Sequence, residues 1–277
     1  MRQHWLKGGN DTMIFVTDQG ALDAPALLFI HGWAQSHICW REQNTLVKDY
    51  RLVSVDLRGH GVSDKPHDMA AYTDTALWGE DINAIVQELS LDHPILIGWS
   101  YCSRVVASYL DTYGDTGISG VVLVGGILAI GDARQDWMVG PTSPAMNADL
   151  YSQDDARRLA ATKEFVSGCT VDPLPSDQMD ELIAVNMACP AFVRRALFAA
   201  SWDFQPVYKN LRKPALVIHG KEDRVVEARS GITAAEIIPN ARLALYENTG
   251  HAPFLEQPER FNADIAEFAA TAFGAPT

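Results

Sequence analysis

"ILIGWSYCSRVVASYL", residues 95–110, decides the fold. "PILIG" (94–98) is a continuous apolar run of the kind buried on both faces of a parallel sheet. Gly98, Trp99 and Ser100 then pass in one step to a helical pattern, with Val105, Val106, Tyr109 and Leu110 along one side. So tight a strand-to-helix turn forces its serine into a strained backbone conformation and lifts the hydroxyl above the sheet. The start of the helix sets free N–H groups and a positive dipole end beside it. Serine is also a favoured helix N-cap, so this stretch alone leaves a purely capping role open.

Outward from Ser100, strand-like and helix-like segments alternate. "ALLFI" (26–30), "RLVSVDL" (51–57) and "VVLVG" (121–125) are β-rich runs. Between them, residues 74–91 place Leu77, Trp78, Ile82, Ile85, Val86 and Leu89 on one helical face. Such alternation implies βαβ units around a mostly parallel central sheet flanked by helices, an α/β fold. The rhythm breaks after Gly126. Residues 127–207 carry "GPTSP", "VDPLPSD" and helical stretches such as "DDARRLAATKEFV" and "PAFVRRALFAA", with no strong strand. It returns with "ALVIHG" (215–220), a helix near 227–237, "ARLALYEN" (241–248) and a closing helix near 258–273. Residues 1–126 and 208–277 therefore read as one core domain, with 127–207 a helical insertion.

The composition fits this reading. The chain has 277 residues, 47% hydrophobic, enough for one large α/β domain. A formal net charge of -13 argues against nucleic acid or an anionic membrane surface as the main partner. No apolar run approaches the roughly 20 residues that span a bilayer, and "MRQHWLKGGNDT" lacks the apolar segment of a secretory signal. Cys39, Cys102, Cys169 and Cys189 are scattered without a CxxC pair, which reads as reduced thiols in a cytoplasmic protein.

A serine hydroxyl is a weak nucleophile and needs a base beside it. Of eight histidines only His219 and His251 follow Ser100. His219 closes the strand "ALVIHG", where a structural role is equally natural. His251 lies in "YENTGHAPFLEQPERF", just past the last strand, and loops at carboxyl ends of strands are where open α/β sheets place reactive groups. A third group must orient the imidazole. Asp223 in "HGKEDRVV" fits at the end of the preceding strand; Glu222 is adjacent, and Asp223 is favoured because it directly precedes the element that begins at "RVV".

Serine, aspartate and histidine in that chain order, with "HGWAQSHICW", "DLRGHGVSD", "GWSYCSRV", "IHGKEDRVV" and "GHAPFLEQPERF" in register, resemble the α/β-hydrolase superfamily over almost the whole length. The resemblance implies the α/β-hydrolase fold with a helical cap over the site. It also implies an oxyanion hole built from the backbone N–H groups of Trp33, just after "HG", and Tyr101, just after the serine. His31 and His60 read as structural. Cys102 stands where the family's Gly-x-Ser-x-Gly pattern has its second glycine; cysteine is small and apolar enough to be buried there.

The chemistry implied is acyl transfer to water through an acyl-enzyme on Ser100, with a small, largely apolar carboxylic ester as substrate. "HGW", "GWS" and "GHAPF" also look like the methyl ester esterases acting on pimeloyl groups and the perhydrolase-esterase group once called non-haem haloperoxidases. No HExxH, paired Cys/His spacing or glycine-rich phosphate loop is present, so neither metal nor cofactor is expected. Dehalogenases and epoxide hydrolases of the superfamily use an aspartate nucleophile, and ring-cleaving dioxygenases resemble a pattern with histidine where Trp99 stands. C–C bond hydrolases, lactonases and hydroxynitrile lyases keep the serine triad and remain alternatives. So does a non-catalytic ligand receptor on the same fold.

Overall fold

The structure is a computed structural model that describes residues 1–274. Eight strands form one sheet in the order β1-β2-β4-β3-β5-β6-β9-β10. They are β1 (Arg2–Lys7), β2 (Met13–Gln19), β3 (Ala26–Ile30), β4 (Arg51–Asp56), β5 (Ile95–Trp99), β6 (Gly120–Val124), β9 (Ala215–Gly220) and β10 (Ala241–Tyr246). Pairing is parallel from β4 through β10, with Ile30 opposite Gly98 and Trp99 opposite Val124. β3, β5, β6 and β9 are buried at every position, so helices must cover both faces.

One row of helices packs α2 (Ala76–Glu88, after the single turn α1, Ala70–Thr73) against α3 (Ser103–Tyr113). It continues through α7 (Gln205–Lys209) to α8 (Ala228–Ile237). A second row joins the 3-10 segment His37–Lys48 to α9 (Pro253–Glu256) and α10 (Pro258–Ala272). Between β6 and β9 lie α4 (Asp155–Ser167), α5 (Ser176–Ala188) and α6 (Ala191–Ala196). Among the described residues no helix is long and apolar enough to cross a membrane.

Two departures from the sequence pattern have physical reasons. Ahead of "ALLFI", where the sequence reading places its first strand, β1 and β2 form an antiparallel pair, and β2 is itself a buried run, "MIFVTDQ". β1 is an edge strand of polar and half-exposed residues, so no buried run marks it. The sequence shows no strong strand within 127–207, and what forms there is minimal. β7 (Ala129–Ile130) and β8 (Trp202–Asp203) pair there, each only two residues long, below the length at which alternation becomes visible.

The loop after β4, "DLRGHGVSD", is fixed by buried charge. Arg58 meets Asp81 of α2 with Nε to Oδ2 at 2.7 Å and Nη2 to Oδ1 at 2.6 Å. The Gly9 N–H and the Gly9 and Ala71 carbonyls complete the network. Neighbouring His31 accepts the Leu57 N–H at Nε2 and places Nδ1 2.7 Å from the Gly32 carbonyl, so it braces the loop after β3. The His60 ring lies 4.9 Å from it, tilted by 58°. Burial lowers both imidazoles, His31 to about 4 and His60 to about 3, and keeps them neutral.

Removing one partner of a fully buried pair strands the other charge, which costs about 3–5 kcal/mol. Asp81→Asn should lower the unfolding free energy by that amount, read as a lower urea midpoint at unchanged m-value. The histidines set a pH dependence. An unfolded chain protonates them below about 6.5 and the fold does not. Stability is therefore complete above that pH and should be lost as pH falls toward about 4, by about 3 kcal/mol from His31 alone. Urea unfolding at neutral pH and in mild acid reads the difference, and a flat profile would contradict the neutral, buried assignment.

Candidate active site

Ser100 stands at the carboxyl end of β5, where a 3-10 turn (Ser100–Cys102) leads into α3. Its φ is +58°, the left-handed region that costs a residue with a side chain about 1–2 kcal/mol. Gly98 makes the turn possible: a Cβ there would lie 2.9 Å from the Cys102 carbonyl oxygen and from Val106. Cys102 is fully buried and its thiol donates to the His31 carbonyl. Burial pushes that thiol well above its ordinary range, so it remains protonated and unreactive. Ser103, the second hydroxyl nearby, donates to the Ser100 and Ile127 carbonyls from inside the helix.

The structure brings Ser100, His251 and Asp223 together. Ser100 Oγ lies 2.7 Å from His251 Nε2, and His251 Nδ1 lies 2.7 Å from Asp223 Oδ2. With Nδ1–H donated to the carboxylate, Nε2 is the lone pair that faces the hydroxyl. His251 is held at its backbone too: its N–H donates to the Cys169 carbonyl, and Trp99 Nε1 donates to its own carbonyl at 2.8 Å. Glu222 is elsewhere, accepting the Thr249 N–H.

Asp223 is also the acceptor for three other donors. Oδ1 takes the Val225 and Val226 N–H groups at 2.8 and 2.9 Å, and His219 Nε2 stands 3.1 Å from Oδ2. Burial would raise this carboxyl, but the imidazoles of His251 and His219 outweigh it and hold Asp223 well below the usual carboxylate range. His219 has no direct line to Ser100; it supports Asp223 from behind the strand end.

Trp33 and Tyr101 both border the same pocket as Ser100 and His251. Among the described residues neither backbone N–H donates to another backbone group, so both are available to a ligand. Their side chains are braced by buried arginines that sequence reasoning did not single out. The Arg104 guanidinium lies 5.5 Å over the Tyr101 ring and bonds its hydroxyl. The Arg194 guanidinium lies 5.3 Å over Trp33. Arg104 is the lone cation of its helix and Arg194 one of an adjacent pair with Arg195, and only tertiary structure shows which ring each covers. Gly125, after β6, was also missed. With φ +51°, a Cβ there would sit 3.1 Å from His251 Nδ1; the "GG" after an apolar run is its only signal.

The pocket is about 540 Å³ counting its open mouth. Ile127, Ile130, Val139, Phe165, Phe198 and Val225 make most of its wall apolar. Among the described residues no group of three or more His, Cys, Asp or Glu side chains could hold a metal ion. The contacts among Ser100, His251 and Asp223 can activate a hydroxyl and receive its proton.

The chain is similar to known proteins along nearly its whole length. The esterase RhEst1 from Rhodococcus sp. ECU1013 superposes with a TM-score of 0.93 at 32% identity, over 98% of this chain and all of that one. The bifunctional esterase/perhydrolase DCH of Acinetobacter calcoaceticus is 27% identical across 92% of this chain and 95% of its own. The AB hydrolase superfamily protein YisY of Bacillus subtilis (strain 168) is 25% identical across 96% of this chain and 98% of its own. The sequence profile of the alpha/beta hydrolase family matches residues 27–264, and the chain belongs to that family.

Proposed function

We propose that this hydrolase cleaves a small, largely apolar carboxylic ester through an acyl-enzyme on Ser100. The observation that carries the reading is the unbroken line from Ser100 Oγ through the His251 ring to Asp223, two contacts of 2.7 Å each. Likeness to a Rhodococcus esterase and to an esterase/perhydrolase supports ester chemistry over the alternatives. Residues 127–207 would then form the helical cap (lid) on a core of 1–126 and 208–277. The cap supplies Ile127, Phe165 and Phe198 to the pocket wall. Four buried, unpaired thiols fit a reducing, cytoplasmic setting.

Attack of Ser100 Oγ on the ester carbonyl passes its proton to His251 Nε2. Negative charge gathers on the carbonyl oxygen, and the Trp33 and Tyr101 N–H groups stabilise it; losing one such donor typically costs about 3–4 kcal/mol. Collapse breaks the bond to the alcohol oxygen, which leaves with the proton from His251. Water then enters, gives a proton to the same nitrogen and attacks the acyl carbonyl. The second collapse returns the proton to Ser100 Oγ and releases the acid. Asp223 stays ionised throughout and stabilises the imidazolium.

A fluorophosphonate probe should add one adduct by intact mass, mapped to the peptide holding Ser100 and absent in Ser100→Ala. A folded protein that takes no adduct would favour the receptor reading. Asp223→Asn should keep the fold yet lower kcat on a simple p-nitrophenyl ester by about 10⁴-fold, because the amide selects the wrong imidazole tautomer. A loss below tenfold would remove Asp223 from the proposed triad.

A further inference from the structure

Among the described residues one charged side chain of the pocket, the half-buried Arg134, has no hydrogen-bond or ion-pair partner. Arg134 follows β7 and borders the cavity opposite a wall that is otherwise apolar apart from Ser100, Ser143 and His251. Its Nε is buried without any hydrogen-bond acceptor. Eight other arginines (2, 41, 51, 58, 157, 158, 212 and 242) pair with a carboxylate. Among the described residues the rest lack one too: Arg104 and Arg194 direct their donors at carbonyls and hydroxyls, Arg229 and Arg260 lie over the Trp137 and Tyr246 rings, and Arg195 and Arg224 are exposed. The chain carries 35 acidic residues against 22 basic, so carboxylates are in ample supply. Asp132, two residues away, borders the outer groove that Arg134 shares with Arg195 and Tyr151, and still does not pair with it.

A guanidinium at the edge of an apolar pocket is costly to desolvate unless something in the pocket meets it. The planar fork matches a carboxylate with two parallel hydrogen bonds. We infer that Arg134 is a carboxylate-binding residue of this pocket, so that the ester presented to Ser100 carries a free carboxylate at the end remote from the scissile bond. The inference rests on the pocket being the ester site. It narrows the substrate to an apolar chain with an ester at one end and an anion at the other. The carboxylate can belong to the acyl part, as in a half-ester of a dicarboxylic acid, or to the alcohol part, as in an acylated hydroxy acid.

Ser100→Ala separates binding from turnover. Calorimetry would compare monomethyl esters of linear dicarboxylic acids with methyl alkanoates of matched length, and acetylated ω-hydroxy acids with alkyl acetates. The anionic member of one series should bind about tenfold or more tightly than its neutral match, the scale of a charge-assisted hydrogen bond. Arg134→Met on the same background should abolish that ratio, and Arg134→Lys should keep part of it. The series that shows the effect says which side of the ester carries the anion. With Ser100 intact, the ratio of kcat/KM for anionic over neutral ester should fall by about the same factor in Arg134→Met. Equal affinities in both series, or a ratio that Arg134→Met does not move, overturns the inference even if the protein hydrolyses neutral esters well. Arginine-dependent binding in a protein that takes no fluorophosphonate overturns the hydrolase reading instead and leaves this inference standing.

Discussion

Ser100 at φ +58° is the constraint on which the site depends. An L-residue enters the left-handed region only where its surroundings over-determine it. Here the sheet holds one side, since Gly98 lies in register between Ile30 of β3 and Leu123 of β6. The helix holds the other, because the bare Gly98 lets the Cys102 carbonyl approach. The Cys102 thiol then ties the turn to the His31 carbonyl, and His31 in turn fixes the loop that carries Trp33. A cysteine in the place of glycine is therefore no loss at this position. It fills the space and adds a link between the proposed nucleophile and the proposed oxyanion loop.

The second organising feature is buried positive charge set against π faces and carbonyls. Arg194 is fully buried with no carboxylate beside it. Burial lowers it to about 10, which leaves it a cation at neutral pH. Its donors reach the Asn186 and Cys189 carbonyls at the end of α5, the Leu150 carbonyl and Thr162 Oγ1 of α4. The carboxyl end of a helix is where a cation is favoured. The same guanidinium covers the Trp33 ring, which also meets Tyr151, Phe165 and Phe198 of the inserted segment, so the loop bearing Trp33 is docked on that segment by one cation and three aromatic side chains.

How far the sequence reveals all this follows from what each residue needs to be recognised. Buried parallel strands such as "ALLFI" and "ALVIHG" announce themselves as apolar runs, and both are recovered at their full bounds. β1 alternates half-exposed polar residues and does not. Ser100, Asp223 and His251 are legible because each sits at a strand end beside a turn, where local pattern and chemistry coincide. Of the two neighbouring carboxylates, Asp223 lies 2.7 Å from His251 Nδ1 and Glu222 accepts the Thr249 N–H. Arg104, Arg134 and Arg194 are illegible for the opposite reason. Each looks like an ordinary basic residue in a helical or loop segment, and its meaning lies in a contact or a missing contact across the fold.

Asp223 shows how the site keeps two demands apart. A general base must exchange protons, whereas the group behind it must not. Four donors converge on Asp223: two valine amides, His219 and His251. Their combined field keeps it an anion despite burial, so it never competes with the imidazole for the proton. His219, in β9, stands 3.1 Å from the same oxygen that meets His251 and 3.0 Å from the Val226 carbonyl, so the carboxylate is anchored to its own strand end on one side and meets the His251 imidazole on the other.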